Sequence, residues 1–315
     1  MDLTLAQLEL SLPTVPVNLI GSRSLSEHIG AKITLATETF QHTGSFKFRA
    51  AYNVAANVPQ QKLITASSGN FGQALAYACK LLNKRCIVVM PATSAKIKIS
   101  AVRSHGAEVE LVDTTVKTRA QRLAEIAAQH PDAYVASAYD DQLVIEGNAS
   151  LGLELAAASE PWNCIVVPVG GGGLISGIVQ GLRLAGDRTE VVGAEPALGN
   201  DAARSLRSGE LVRNQSEPPT IADGARTLSL GERNWEIIRR EIRDIVEVTE
   251  EAIADSVRLL FRYANLKVEP TGALSLAAVL QHSHQFAGRQ VCCVVSGGNV
   301  DPSLYAQLLT EGGTD

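Results

Sequence analysis

The stretch VVPVGGGGLISG (residues 166–177) joins an apolar run of strand type to Gly170, Gly171, Gly172 and Gly173, with a helix pattern beginning near Leu174. A buried strand that feeds a helix through a glycine turn is the building unit of a parallel sheet. A tight turn needs one or two glycines, whereas this stretch has four. Glycines let the backbone come close to a ligand and turn its N–H groups inward, and the helix start behind them adds a field that favours an anion. A phosphate is the natural occupant.

The same unit recurs along the chain. The runs KLITA, RCIVVM, AEVELV and AYVASA alternate with Ala- and Leu-rich helical stretches, and NCIVVPV, EVVGAE, IVEVT and VCCVVSG do so later. Near-continuous apolar strands separated by helices indicate parallel sheets buried on both faces. Four such runs precede Asp140 and four follow it, which predicts an α/β protein with two open, twisted, mostly parallel sheets flanked by helices. In such sheets ligands bind at the carboxyl ends of the strands.

Composition narrows the function classes. The 315 residues are 45% hydrophobic and 19% charged, with a net charge of −5 and no basic run, which argues against nucleic acid or an anionic membrane as partner. No apolar run reaches transmembrane length, and the start MDLTLAQLEL lacks the basic region of a signal peptide. The five cysteines are scattered without a CxxC pair, so they read as buried, reduced thiols of a cytoplasmic protein rather than zinc ligands.

Two further stretches combine with the glycine loop. In HTGSFKFRAAYN (42–53), Thr43, Gly44 and Ser45 read as a turn and N-cap, with helix from Phe46 to Val54. Lys47 then falls in a first turn, where the helix dipole disfavours a cation, so it is either solvated at some cost or chemically employed. In TASSGNFGQALAYA (65–78), Ser67, Ser68, Gly69 and Asn70 open a helix and could hold a carboxylate, although one cap residue would satisfy a helix alone. The stretch CCVVSGGNVD (292–301) is a strand running into Ser296, Gly297, Gly298 and Asn299, and by itself it decides nothing.

A dinucleotide fingerprint is matched only as Gly171-x-Gly173-x-x-Ser176, with its third position wrong, although Glu195 lies where a ribose-binding acid would fall. A nicotinamide-dependent oxidoreductase therefore stands second. No Walker lysine follows a glycine loop, which argues against nucleoside triphosphates. A lysine amine, a phosphate cradle and a carboxylate loop together suit pyridoxal phosphate: the amine forms a Schiff base with the aldehyde, and the two loops hold the phosphate and an amino acid's carboxylate.

TGSFKFRAA, SSGNFGQALAYA, VPVGGGGLISG, EPTGA and SGGNVD, in this order, resemble the serine racemase and threonine/serine dehydratase family. These are pyridoxal-phosphate enzymes of the tryptophan-synthase-β fold type (fold type II), and the resemblance spans about Pro13 to Asp301. It implies that Lys47, beside Phe46, is the Schiff-base lysine and that Asn70 bonds the phenolate oxygen of the cofactor. It also implies that Gly170, Gly171, Gly172, Gly173 and Leu174 hold the phosphate and that Ser296 faces the pyridine nitrogen. Gly224 and Glu269 would line the ring, and Ser67, Ser68, Gly69 and Asn70 would take the substrate carboxylate. AEPALGND resembles the family's divalent-cation loop, with Glu195, the Gly199 carbonyl and Asp201 as ligands for Mg2+ or Ca2+.

The activity implied is an ammonia-lyase (dehydratase) acting on a β-hydroxy amino acid of threonine or serine type, giving a 2-oxo acid and ammonia. Lys47 removes the Cα proton. The alternative is racemisation, with Ser68 as second acid/base, or both activities in one site. Phe71 stands where many relatives have histidine. The resemblance also implies a homodimer, with a large cofactor domain (1–51 and 140–315) and a small substrate-closing domain (52–139). The chain ends soon after SGGNVD, so no regulatory domain is expected.

Overall fold

The computed structural model describes residues 13–67, 69–94 and 96–311. Ser68 lies outside them. Among the described residues ten strands form two sheets: β1 (Asn18–Gly21), β2 (Lys32–Thr37), β3 (Lys62–Ala66), β4 (Arg85–Pro91), β5 (Glu108–Val112), β6 (Tyr134–Val135), β7 (Cys164–Pro168), β8 (Glu190–Pro196), β9 (Ile245–Val248) and β10 (Gln290–Val295). The larger sheet has the order β1-β2-β10-β7-β8-β9 and the smaller β5-β4-β3-β6. Every pairing is parallel except that of β1 with β2. All eight sequence-read strands are present, with AYVASA reduced to the two residues of β6. The edge strand β1 and the alternating KITLAT of β2 were not anticipated.

Period-two alternation explains how both faces of the large sheet are buried. Cys164, Val166, Val291, Cys293 and Val295 enter one core, while Ile165, Val167, Cys292 and Val294 enter the core on the opposite face. The small sheet has its own main core of Leu63, Val88 and Met90, packed against Phe48, Val54, Phe71 and Leu75. All five cysteines are buried and free. Among the described residues no helix is long and apolar enough to cross a membrane.

The helix Lys47–Asn57 links the sheets. Two residues after its start, the fully buried Arg49 donates to both Glu38 oxygens (2.8 Å each) and to Glu154 (2.6 and 3.0 Å). It also donates to Ser150 Oγ (3.1 Å) and the Val15 carbonyl (3.3 Å). Burial lifts the Glu38 carboxyl pKa, with Arg49 opposing. Burial works against the Arg49 charge, but the two carboxylates overcome it and its pKa is raised. One guanidinium thus ties the end of β2, the helix Gln142–Ala156 and the N-terminal segment to the helix carrying Lys47.

Removing one partner of a buried ion pair leaves an uncompensated charge, at a cost of about 3–5 kcal/mol. Arg49→Ala is therefore expected to lower stability by about that amount in urea unfolding. Arg49→Lys should recover only part of it, because an ammonium cannot reproduce a guanidinium's fork.

Candidate active site

Strand β10 lies between β2 and β7, although it is the last in sequence. This is a topological switch point, where a crevice opens at the strands' carboxyl ends. The loops leaving β2 and β10 are stitched together there. Glu38 N donates to the Val295 carbonyl (2.9 Å), Phe46 N to Ser296 O (3.0 Å) and Gly298 N to Gly44 O (3.0 Å).

The turn before Lys47 is a 3-10 turn, His42–Gly44, with positive φ at Thr43 (61°) and Gly44 (76°). The expected Ser45 cap is corrected: Phe46 occupies the N-cap position without a capping side chain, and Ser45 Oγ is buried without a partner. Pairing of Ser45 with Gly297 holds this residue extended, so the sheet loop and not a hydroxyl starts the helix.

Lys47 is half-buried. Its Nζ donates to the Ala138 carbonyl (2.8 Å) and lies 4.9 Å from the Phe46 ring centre and 5.8 Å from that of Phe71. Burial drives its pKa down to about 8, partly offset by the Glu269 carboxylate. The first-turn dipole acts in the same direction as burial. At pH 7 about one such amine in ten is neutral, against roughly one in three thousand for an ordinary lysine.

The glycine loop sits beside this amine. Val169 N still donates within the sheet, to Ala194 O (2.8 Å), but among the described residues no acceptor takes the N–H groups of Gly170, Gly171, Gly172, Gly173 or Leu174. The first helical bond is that of Ser176 N to Gly172 O (3.0 Å). Meanwhile the Gly171 carbonyl is turned away, accepting from Asn234 Nδ2 (2.8 Å) and Gly231 N (3.1 Å). Side chains have no room here: a Cβ on Gly171 would fall 2.3 Å from the Tyr139 ring, and one on Gly173 would fall 2.9 Å from Tyr139 O. Tyr139 follows Ala138, so one segment holds both the lysine amine and the cradle. Five orphaned N–H groups at a helix start fit a phosphate.

Across the crevice, Asn70 opens the helix Asn70–Leu81, and its Nδ2 donates to Glu269 Oε1 (2.7 Å). Glu269 is buried, and burial raises its pKa to about 8, with the Asp223 charge adding and the Asn70 bond opposing. Gly224 N donates to Thr271 Oγ1 (2.9 Å), and its carbonyl lies 2.8 Å from where a Gly170 Cβ would be. Ser296 is buried at the end of β10. In the carboxylate loop, Ser67 is buried and accepts from Gly69 N (3.4 Å). The helix's bonding begins only with Gln73 N to Gly69 O (3.4 Å), so its first N–H groups face the loop.

Glu195 and Asp201 form a separate cluster. Glu195 accepts from Ala202 N and Ala203 N (2.9 Å each), and Asp201 accepts from Asn214 Nδ2 (2.7 Å). Burial and the nearby Asp201 raise the Glu195 pKa, and burial lifts Asp201 to about 6. Asp201 Oδ2 is buried without a partner. Among the described residues no three metal-ligating side chains cluster, and the partnerless Asp201 oxygen is the one feature here that suits a hard cation.

The sequence reading missed Ala138, Tyr139 and Asn234. The only signal was a strand ending in small and polar residues, SAYD, ahead of the next helix.

The fold and this crevice define a cofactor-binding enzyme of the pyridoxal type, and comparison with known proteins agrees. Residues 10–297 match the family described as pyridoxal-phosphate dependent enzymes, and the chain belongs to that family. It is 37% identical over 292 residues to an L-threo-3-hydroxyaspartate ammonia-lyase from Pseudomonas sp, covering 91% of each chain. It is 35% identical over 301 residues to a serine racemase from Mus musculus, covering 92% of this chain and 88% of the relative. The crystal structure of a threonine deaminase from T.th. superposes with a TM-score of 0.89 at 38% identity, covering 95% of this chain and 99% of that one. The nicotinamide alternative is thereby set aside.

The shifted lysine is open to a direct check. Covalent capture of pyridoxal phosphate by cofactor-free protein needs the neutral amine, so its rate should rise with pH through a midpoint near 8. Stopped-flow absorbance measures this, and an ordinary lysine would keep rising beyond about pH 10.

Proposed function

We propose that this chain is a pyridoxal-phosphate-dependent ammonia-lyase that converts a β-hydroxy amino acid of the threonine/serine type to a 2-oxo acid and ammonia. The observation that carries the reading is the half-buried Lys47 amine, with its pKa near 8, held by the residue next to the one that packs on an unsatisfied N–H cradle. The named activities of the relatives support it. When bound, pyridoxal phosphate supplies an aldehyde that captures amines and a ring that accepts the electron pair left at Cα.

The chain's residues divide the remaining work. Gly170, Gly171, Gly172, Gly173 and Leu174 hold the phosphate by backbone N–H groups, and Ser296 stands as the hydroxyl partner of the ring nitrogen. Asn70 offers an N–H donor, while Gly224 and Glu269 line the pocket. Ser67, Ser68, Gly69 and Asn70 receive the substrate carboxylate. The Lys47 amine would take the Cα proton, which a pKa near 8 allows. The β-hydroxyl leaves with a proton as water, and one water is taken up again when the released enamine, through its imine, hydrolyses to the oxo acid and ammonia.

Racemisation is the second reading, favoured by serine racemases at 33% and 35% identity. It requires Ser68 to return a proton on the opposite face. Residues 52–139 would close on 1–51 and 140–315. The ion pairs Lys98 to Asp223 (2.7 Å) and Arg119 to Glu217 join these parts. Mg2+ or Ca2+ would bind at Glu195, the Gly199 carbonyl and Asp201. A cytoplasmic homodimer completes the reading, with five unbonded thiols supporting the reducing compartment.

Two experiments test the proposal. Threonine, serine, hydroxyaspartate and aryl-substituted serines are incubated with the holoenzyme and scored for oxo acid and for inverted enantiomer. Oxo-acid release from at least one, reduced at least ~10³-fold in Lys47→Ala, is expected, and release from none overturns it. For the cation, chelation should lower the unfolding temperature by at least ~3 °C, and added Mg2+ or Ca2+ should restore it.

A further inference from the structure

We propose that Asn299 is a positioning residue that fixes which end of the Asn70 amide faces the pocket. The inference rests on the reading that Asn70 meets the cofactor. Asn299 Nδ2 donates to the Thr43 carbonyl (2.7 Å) and to Asn70 Oδ1 (2.8 Å), and Asn70 Nδ2 donates to Glu269 Oε1 (2.7 Å).

The direction of this chain follows from its first member. A backbone carbonyl can only accept, so the NH2 end of Asn299 must face Thr43. The second hydrogen of that NH2 then points at Asn70, which must answer with its oxygen. The Asn70 NH2 is left towards Glu269, with one hydrogen for the carboxylate and one for the pocket. A free asparagine could present either end; here two amides and a peptide carbonyl leave one choice.

Packing holds the lead amide in place. The Asn299 Oδ1 lies 2.5 Å from where a Gly44 Cβ would be, so only a glycine at that position admits it. Gly44 has φ +76°, and its carbonyl accepts from Gly298 N (3.0 Å), next to Asn299 in the chain. The turn before Lys47 and the loop after β10 therefore set the Asn299 amide, and through it Asn70 in the helix of the smaller sheet.

The test compares Asn299→Asp, Asn299→Ala and Asn70→Ala as pyridoxal-phosphate-loaded enzymes. Aspartate matches asparagine in shape but cannot donate, so Asn70 must turn its NH2 towards it and its oxygen towards the pocket. Alanine only releases the constraint. We expect Asn299→Asp to shift the visible cofactor band and to lower kcat at least ~10-fold more than Asn299→Ala, with KM changed less than ~3-fold. The band shift should vanish when Asn299→Asp is added to Asn70→Ala. A residue acting through packing alone would rank the variants the other way, since aspartate leaves no cavity. Asn299→Asp equal to or milder than Asn299→Ala, or a shift that persists without Asn70, overturns the proposal. If Asn70→Ala leaves the band unchanged, the underlying reading of Asn70 has failed instead.

Discussion

Tyr139 lies so close to the glycine loop that its ring and carbonyl occupy the space where side chains of residues 171 and 173 would be. The rest of the site depends on that contact. It requires Cβ-free positions after β7, and it brings the segment returning from the small sheet against the switch point of the large one. The adjacent Ala138 then offers its carbonyl to Lys47. Asn234 secures the arrangement by donating to both Tyr139 O (3.0 Å) and Gly171 O (2.8 Å), which keeps the loop's N–H groups on the open side.

The same enclosure sets the electrostatics. Removing water disfavours every charge, so the Lys47 pKa falls and that of Glu269 rises, both to about 8. Lys47 therefore gives up its proton more readily, and Glu269 less readily, than an exposed side chain of its kind, which suits a lysine that must act as a base. Arg49 is the contrasting case. Two carboxylates and full hydrogen bonding keep its charge in the interior, and it fixes the helix on which Lys47 sits.

Much of this was legible in the sequence because it is local. Strand runs such as RCIVVM, the four glycines and the small polar residues after β3 and β10 declare themselves over a few positions. β1 and β2 lack that signal: NLIG is a largely exposed edge strand of four residues, and KITLAT intersperses Lys32, Thr34 and Thr37 among its apolar residues instead of forming an apolar run. The helix start at Lys47 differs from the expected one because Ser45 is held extended by pairing with Gly297, far away in the sequence, and so does not cap. Tyr139 and Asn234 carry no motif, since their roles arise only from the close approach of three distant segments. Asn299 was visible but mute until its hydrogen bonds gave it a direction.

The central claim is that Lys47 and the glycine loop form one cofactor site. Borohydride reduction of the pyridoxal-phosphate-loaded protein, followed by digestion and mass spectrometry, tests it most directly. The account predicts that the reduced cofactor is found on the peptide containing Lys47. Modification of Lys98 or Lys267 instead, or of no lysine, would contradict it.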